Sequence, residues 1–244
     1  MGEKIYTIPV NEVFDKDCEC PVCEMYDELQ QDAIDFTMGT SYMQDDVRME
    51  TNRLGFCEKH VNLMYNKNQN RLGLALMLLT HMNGTIKEME KLSKHRKPAG
   101  GLFKKDVGET KLKGYADKLE CSCYICNRID NVFERYVATI FYLYQTDDNF
   151  VKKFENCKGF CTKHYAYLFE KAETELRSDC RDSFYKNLNR LYLENMKRVR
   201  DDLKWFTDKF DYRYANEPWK NSKDALPRTI TKTNSIYVEE KKRN

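Results

Sequence analysis

The most regular apolar pattern in the chain lies between residues 129 and 144. Apolar side chains recur there at spacings of three and four residues, which is typical of a helix that buries one broad stripe. The positions are Ile129, Val132, Phe133, Tyr136, Val137, Ile140, Phe141 and Tyr144. A sparser series of the same character lies in the first half and comprises Tyr26, Leu29, Ala33 and Phe36. The pattern therefore predicts an amphipathic helix in each half of the chain.

Three further segments also have a helical pattern. The first is Leu72 to Leu92, which is rich in Leu and Met; the others are Tyr165 to Leu176 and the region from about Cys180 to Phe206. In the last segment one face carries Phe184, Leu188, Leu191, Val199 and Leu203. No long segment alternates apolar and polar residues with a period of two, so strands are not expected. These patterns predict an all-α fold.

Two cysteine motifs each occur twice. A Cys-x-Cys-x-x-Cys sequence occupies residues 18–23 and again 121–126, and a Gly-Phe-Cys-x-Lys-His sequence occupies residues 55–60 and again 159–164. Between the last cysteine of the first motif and the cysteine of the second lie 33 residues in the first half and 34 in the second half. Matched motifs at matched spacing predict an internal duplication.

The duplication defines the predicted organisation of the chain. Residues 1–92 form the first helical repeat, and residues 119–210 form the second. The segment between them, residues 93–118, contains four glycines and eight Lys or Arg against three acidic residues, so we expect a mobile basic linker. Residues 211–244 have little helical period and are expected to form an irregular C-terminal tail.

The spacing of the cysteines and histidines predicts metal sites. Two cysteines separated by two residues can direct both thiolates to one cation at about 2.3 Å, and a helix N-terminus favours negative sulfur. The Cys-x-x-His end of each second motif adds a third thiolate and an imidazole. We therefore expect two zinc ions per chain, each in a Cys3His site that is complete within its own repeat. The predicted ligands are Cys20, Cys23, Cys57 and His60 for the first site, and Cys123, Cys126, Cys161 and His164 for the second.

Other interpretations of the cysteines stay open. Cys18 and Cys121 give each repeat a fourth cysteine, so each repeat could hold an iron–sulfur cluster, although neither ferredoxin spacing is present. These two thiols could instead form a disulfide with a ligand cysteine and release the metal on oxidation. The simplest interpretation without a metal is that the cysteines are small buried apolar residues and that the histidines are polar caps.

Composition and known sequence motifs limit the classes of function that this protein is expected to have. With 41 basic and 39 acidic residues the formal charge is +2, so a nucleic-acid partner is not expected. The longest apolar run, Leu74 to Leu79, is too short for a membrane span, and the N-terminal residues lack a secretory signal, which indicates a soluble cytoplasmic protein. No phosphate-binding loop or catalytic motif is present, which favours a non-enzymatic protein with an unknown protein or small-molecule partner. A bulky ligand reached by His81 is a further alternative, although a single histidine on such a helix is more often a hydrogen-bonded core residue.

The chain also resembles a known family. The resemblance rests on the paired CPxC and GFCxxH motifs, the central Leu-rich helix, and the closing sequences Trp205-Phe206, Lys209 to Arg213 and Pro218 to Ala225. These features are similar to a family of cytoplasmic, cysteine-rich helical proteins of mainly anaerobic bacteria that contain a domain of unknown function. The resemblance implies a helical, cysteine-rich protein and no catalytic residue. Tyr124 departs from the pattern, because it replaces the proline of the second CPxC motif.

Overall fold

The computed structural model describes residues 4–94 and 110–237. Every regular element in these two ranges is a helix, which confirms the predicted all-α class. In chain order the α-helices are α1 (Thr7–Asp15), α2 (Pro21–Met38), α3 (Asp45–Leu54), α4 (Glu58–Lys67), α5 (Arg71–Ser93), α6 (Lys111–Glu120), α7 (Tyr124–Thr146), α8 (Asp148–Asn156), α9 (Thr162–Glu175), α10 (Ser178–Asp208) and α11 (Ala225–Asn234). Short 3-10 helices cover Lys4–Tyr6, Thr40–Met43 and Tyr212–Tyr214. Within the described ranges no helix is both long enough and apolar enough to cross a membrane.

The chain divides into two compact units. The first comprises Met1–Glu28 and Val132–Asn244, and the second comprises Leu29–Asn131. These units do not coincide with the predicted repeats, because the first 28 residues group with the second half of the chain. The CxCxxC motif of each half therefore falls in the same unit as the GFCxKH motif of the other half. The internal duplication itself stays a prediction.

The core of the first unit is built from aromatic side chains. Phe150 and Phe154, four residues apart on α8, are fully buried. The ring of Phe14 on α1 lies 4.9 Å from that of Phe150, and the ring of Phe184 on α10 lies 5.3 Å from that of Phe154. Phe160, from the second GFCxKH motif, also packs on Phe154, with 5.3 Å between the ring centroids. Since such pairs add to the free energy gained by burial, the motif is anchored directly to this core.

In the second unit, α3 packs along α5. Asn52 on α3 accepts a hydrogen bond at its carbonyl oxygen from the ring of His81 on α5, with 2.7 Å between Nδ1 and the oxygen. Gly84, one turn further along α5, leaves room for the side chain of Asn52, since a Cβ there would lie 2.7 Å from its Oδ1. The predicted Leu- and Met-rich helix is thus present. His81 has the hydrogen-bonded role expected of a single histidine on it.

The predicted linker and the predicted tail each contain a helix. Residues 111–118 of the predicted linker belong to α6. Thr110 is the N-cap of this helix, and its side chain accepts a hydrogen bond from the backbone N–H of Lys113. An ion pair between Lys113 and Asp117 supports this polar helix. The rest of the linker, residues 95–109, lies outside the described residues.

The tail expected to be irregular contains α11, which packs against α9 and α10. Arg228 on α11 pairs with Asp202 on α10 at 2.8 Å and with Asp224 at 2.9 Å. The helix is only ten residues long, and two of its buried residues, Thr231 and Lys232, are polar. An apolar pattern therefore gives no signal for it. Tertiary contacts stabilise this helix.

Candidate metal centres

The eight predicted ligands form two clusters, but in a crossed arrangement. Cluster A consists of Cys20, Cys23, Cys161 and His164, and cluster B consists of Cys57, His60, Cys123 and Cys126. In each cluster the four donor atoms lie within 4.8 Å of one another. The prediction that each ligand set is complete in its own repeat is therefore wrong. The chain folds so that the Cys-x-x-Cys pair of one half meets the Cys-x-x-His pair of the other half within one compact unit.

The Cys-x-x-Cys pairs lie at the starts of α2 and α7. Pro21 is the first residue of α2, where its missing N–H is not needed and its fixed φ suits the first turn. Tyr124 occupies that position in α7 and uses the N–H that proline lacks, donating to the carbonyl of Gly55 at 3.0 Å. The departure from the CPxC pattern thus connects the two motifs of cluster B. Cys126 adds a backbone hydrogen bond to the sulfur of Cys123 at 3.5 Å.

The Gly-Phe-Cys-x-Lys-His motifs position the remaining ligands. Gly55 has φ +60° and Gly159 has φ +75°, a region that favours glycine. A Cβ on Gly159 would lie 2.7 Å from the carbonyl oxygen of Leu191, so glycine is also required sterically. The cysteine two residues later is extended, with ψ 163° in both motifs, and precedes a helix. The histidine is the third residue of that helix, which turns it back toward the cysteine.

Cluster A is compact and completely buried. The sulfur atoms of Cys23 and Cys161 are 3.5 Å apart. His164 presents Nδ1 to all three sulfur atoms, at 3.6 Å from Cys20 and 3.3 Å from both Cys23 and Cys161. All four residues are buried. A single small cation at the centre would contact every donor.

Cluster B has the same donors but is more accessible. Nδ1 of His60 lies 3.3 Å from the sulfur atoms of Cys57 and Cys126 and 3.4 Å from that of Cys123. The sulfur atoms of Cys57 and Cys126 are 3.9 Å apart. These two cysteines are half-buried, whereas Cys123 and His60 are buried. Among the described residues, Nε2 of His60 has no hydrogen-bond partner.

The protonation of these groups suits metal binding. Burial, helped by the positive charge of Lys59, lowers the pKa of His60 to about 4, so its imidazole is neutral at pH 7 and can donate a lone pair. Burial raises the pKa of the Cys20 thiol. Hydrogen bonds from Cys20 and Cys23 lower the pKa of Cys161 and favour a thiolate there. Ionising all the thiols of a buried cluster requires a compensating cation, because unpaired buried charges are costly.

A lysine from α11 donates hydrogen bonds to the two segments that carry the cysteines of cluster A. The ammonium group of Lys232 is buried and donates to the carbonyl oxygens of Glu19 at 2.6 Å and Lys158 at 2.5 Å. In cluster B the corresponding motif positions are Ser122 and Leu54, and the hydroxyl of Ser122 donates directly to the carbonyl of Leu54 at 2.7 Å. Glu19 cannot donate in this way, so Lys232 supplies the missing hydrogen bonds. Sequence reasoning missed this residue.

Three further contacts lie in the surroundings of cluster A. The hydroxyl of Ser235, just after α11, donates to the sulfur of Cys161 at 3.1 Å. The carboxylate of Glu19 is paired with the guanidinium of Arg198 at 2.6 Å and with the ammonium of Lys232 at 3.3 Å. The segment expected to be a tail is therefore part of the environment of cluster A.

The remaining candidate thiols lie outside both clusters. Cys18 is half-buried, and burial together with the charge of Glu24 raises its pKa to about 12, which disfavours the reactive thiolate. Cys121 is exposed. Neither thiol is among the four donors of a cluster.

The fold and its clusters define an all-helical protein with two Cys3His groups at metal-binding spacing. A family model described as a family of unknown function, DUF6062, matches residues 1–240, and the chain belongs to this family. The match confirms the resemblance to a family of unknown function. No curated protein and no solved structure matches the chain.

Proposed function

We propose that this protein is a non-enzymatic metalloprotein that holds one zinc ion in each cluster and uses the resulting rigid helical scaffold to bind a partner protein or a small ligand. The observation that carries the proposal is the spacing of the donor atoms. Zinc bonds of about 2.3 Å to sulfur and 2.0–2.1 Å to nitrogen put the donors of a tetrahedral site about 3.5–3.8 Å apart. The donor separations described above for the two clusters run from 3.3 to 3.9 Å.

The donor set supports a structural role for the metal. Three thiolates and one imidazole fill a tetrahedral shell, whereas catalytic zinc keeps one position for water or substrate. Each ion would also fix the starts of two helices against each other, α2 and α9 in cluster A and α4 and α7 in cluster B. Binding of the metal would therefore contribute directly to the stability of each unit. A cytoplasmic location, where thiols stay reduced, belongs to the same proposal.

The iron–sulfur alternative requires a different arrangement of thiolates. A cluster places several iron ions and bridging sulfides between its cysteine ligands, so these ligands must be farther apart than around one ion. Donor atoms within 4.8 Å of one another support a single ion. For the redox-sensor alternative, Cys18 and Cys121 would have to attack a ligand sulfur, and the raised pKa of Cys18 opposes this at the first position.

Elemental analysis of the protein purified without oxygen tests the proposal. We expect about two zinc ions per chain, no labile sulfide and no visible absorption, as follows from one ion for each four-donor cluster. Replacing zinc with cobalt should give the strong visible bands of a tetrahedral, thiolate-rich site. The matched control is Cys18→Ser, which should retain both ions. Brown protein with labile sulfide, or folded protein without metal, would overturn the proposal.

A further inference from the structure

Helix α5 exposes an apolar stripe that no described residue covers. Its members keep between 41% and 67% of their surface accessible, and they are Leu72, Leu76, Leu79, Met82 and Ile86. No Asp, Glu, Lys or Arg occurs between Arg71 and Lys87. Isolated exposed apolar side chains are normal on a protein surface, but five along one uncharged stretch of a helix indicate an interaction site.

The stripe has the spacing of a helix–helix seam. Leu72, Leu79 and Ile86 are seven residues apart, as are Ala75 and Met82, so they occupy the a and d positions of two heptads. Ala75 is also exposed. A helix facing solvent within a monomer does not need this repeat. The a and d pattern indicates another helix as the occupant.

The stripe is also symmetric about its own centre. Starting from Leu79, the next members lie three residues away on each side, at Leu76 and Met82, and the last lie seven residues away, at Leu72 and Ile86. Two copies of α5 in antiparallel orientation, with Leu79 on the twofold axis, would place every member opposite another member. An isologous interface requires this self-complementarity.

The available area is sufficient for a stable pair. At roughly 200 Å² for a fully exposed residue of this size, the stripe and the neighbouring Met43, which is 65% exposed, present about 650 Å² per copy. Met43 lines a shallow depression together with Leu76, so it lies beside the stripe. Buried completely on both copies, this surface amounts to about 1,300 Å², which lies within the roughly 1,200–2,000 Å² of stable interfaces.

We propose that this face of α5 binds a second copy of the chain, forming an antiparallel homodimer with Leu79 at the dyad. The proposal is independent of the metal in the clusters. The stripe itself is apolar; Arg71 and Lys87 lie at its two ends, and Arg48 lies beside Met43 and Leu76.

Sedimentation equilibrium of the full chain, as purified, tests the proposal. The wild type is expected to form dimers at concentrations of about 1–100 µM. Leu79→Glu should weaken dimerisation at least about 100-fold, because two like charges would face each other at the axis. The matched control is Leu193→Glu on α10, which replaces a leucine that is 53% exposed and lies outside the stripe. This control should remain dimeric.

Charge complementation tests the orientation. Equimolar Leu79→Glu and Leu79→Lys chains, each monomeric alone, should form a heterodimer when mixed. The double variant Leu72→Glu/Ile86→Lys should dimerise with itself, because the antiparallel pairing brings each glutamate opposite a lysine. A parallel pair would bring like charges together instead. A monomeric wild type, a dimer unaffected by Leu79→Glu, or failure of either complementation test would overturn the proposal.

Discussion

The sulfur atoms of Cys23 and Cys161 lie 3.5 Å apart, although 138 positions separate the two residues in the chain. A metal ion bound between them would close a very long loop. Because the ligands come together only in the folded chain, the free energy of metal binding adds to the free energy of folding. Loss of the ion from cluster A should therefore coincide with unfolding of the whole unit, and not only with a local change around the Cys-x-x-Cys motif.

The crossed arrangement predicts which pairs of substitutions lose the same ion. Cys23→Ser/Cys161→Ser removes two ligands of cluster A, so it should lose one zinc, as either single variant does. Cys23→Ser/Cys57→Ser removes one ligand from each cluster and should lose both ions. Zinc content per chain, measured by elemental analysis, gives the answer. If the ligand sets were complete within each repeat, the two double variants would give the opposite result.

The two clusters should also release metal at different rates. All four residues of cluster A are buried, whereas Cys57 and Cys126 in cluster B are half-exposed. The Nε2 atom of His60 also lacks a hydrogen-bond acceptor among the described residues. Such outer partners typically change metal affinity by about 10–100-fold. With excess chelator and a colorimetric zinc indicator, one ion should therefore leave at least about tenfold faster than the other.

Ligand variants assign these two phases. Cys126→Ser should abolish the fast phase and leave one slowly released ion, and Cys23→Ser should leave only the fast one. Release of both ions in a single phase, or a fast phase that survives Cys126→Ser, would show that exposure does not control the rate.

The contacts of Lys232 predict a large effect of a single substitution outside the clusters. Lys232→Met removes the two hydrogen bonds to the carbonyls of Glu19 and Lys158 and leaves the Glu19 carboxylate with less compensation. We expect the free energy of unfolding of the zinc-loaded protein to fall by about 2–4 kcal/mol in urea titrations. Release of zinc from cluster A should also accelerate, while release from cluster B is unchanged.

The exposed Lys223, which lies on the approach to α11, provides the matched control. Lys223→Met removes the same charge but is expected to change the unfolding free energy by no more than about 0.5 kcal/mol. Equal effects of the two substitutions would mean that the contacts of Lys232 are not responsible.

The sequence was sufficient to predict the helices that have a strong apolar period. The pattern from Ile129 to Tyr144 lies within α7, and the region from Cys180 to Phe206 lies within α10. The apolar period gave no signal for α6, because the N-cap Thr110 and an ion pair stabilise that helix. It also gave none for α11, because the stability of this helix depends on residues far away in the chain. An apolar period in the sequence reflects the burial of one face of a single helix. It does not predict contacts between residues that are far apart in the chain.

The candidate ligands could also be predicted, but their pairing could not. The spacing within Cys20-x-x-Cys23 or Cys57-x-x-His60 determines which two donors share a turn. It does not determine which pair meets which, because a within-repeat and a crossed arrangement give the same Cys3His set. The pairing depends on how the helices pack. The role of Lys232 could not be predicted either. In the sequence, the difference between Glu19 and the corresponding Ser122 is the one sign that the hydrogen bond must come from another residue.

The two glycines of the GFCxKH motifs should differ in their tolerance of alanine. In Gly159→Ala the new Cβ would lie 2.7 Å from the backbone oxygen of Leu191, which cannot move without disturbing α10. In Gly55→Ala the nearest atom is Nε2 of His81 at 2.6 Å, on a side chain that can rotate by giving up its hydrogen bond. Both variants also strain a positive φ, at about 1–3 kcal/mol each. Gly159→Ala should therefore destabilise the protein more than Gly55→Ala does.

Urea unfolding of further variants separates the steric part of the cost from the part due to backbone strain. His81→Ala added to Gly55→Ala should remove the collision, so the pair should be less destabilised than the sum of the single variants, while the strain from φ remains. Gly114→Ala, in open space on α6, should be stabilising by up to about 1 kcal/mol, because alanine lowers the entropy of the unfolded chain. Equal costs at Gly55 and Gly159, with no coupling to His81, would mean that backbone strain alone makes glycine necessary in this motif.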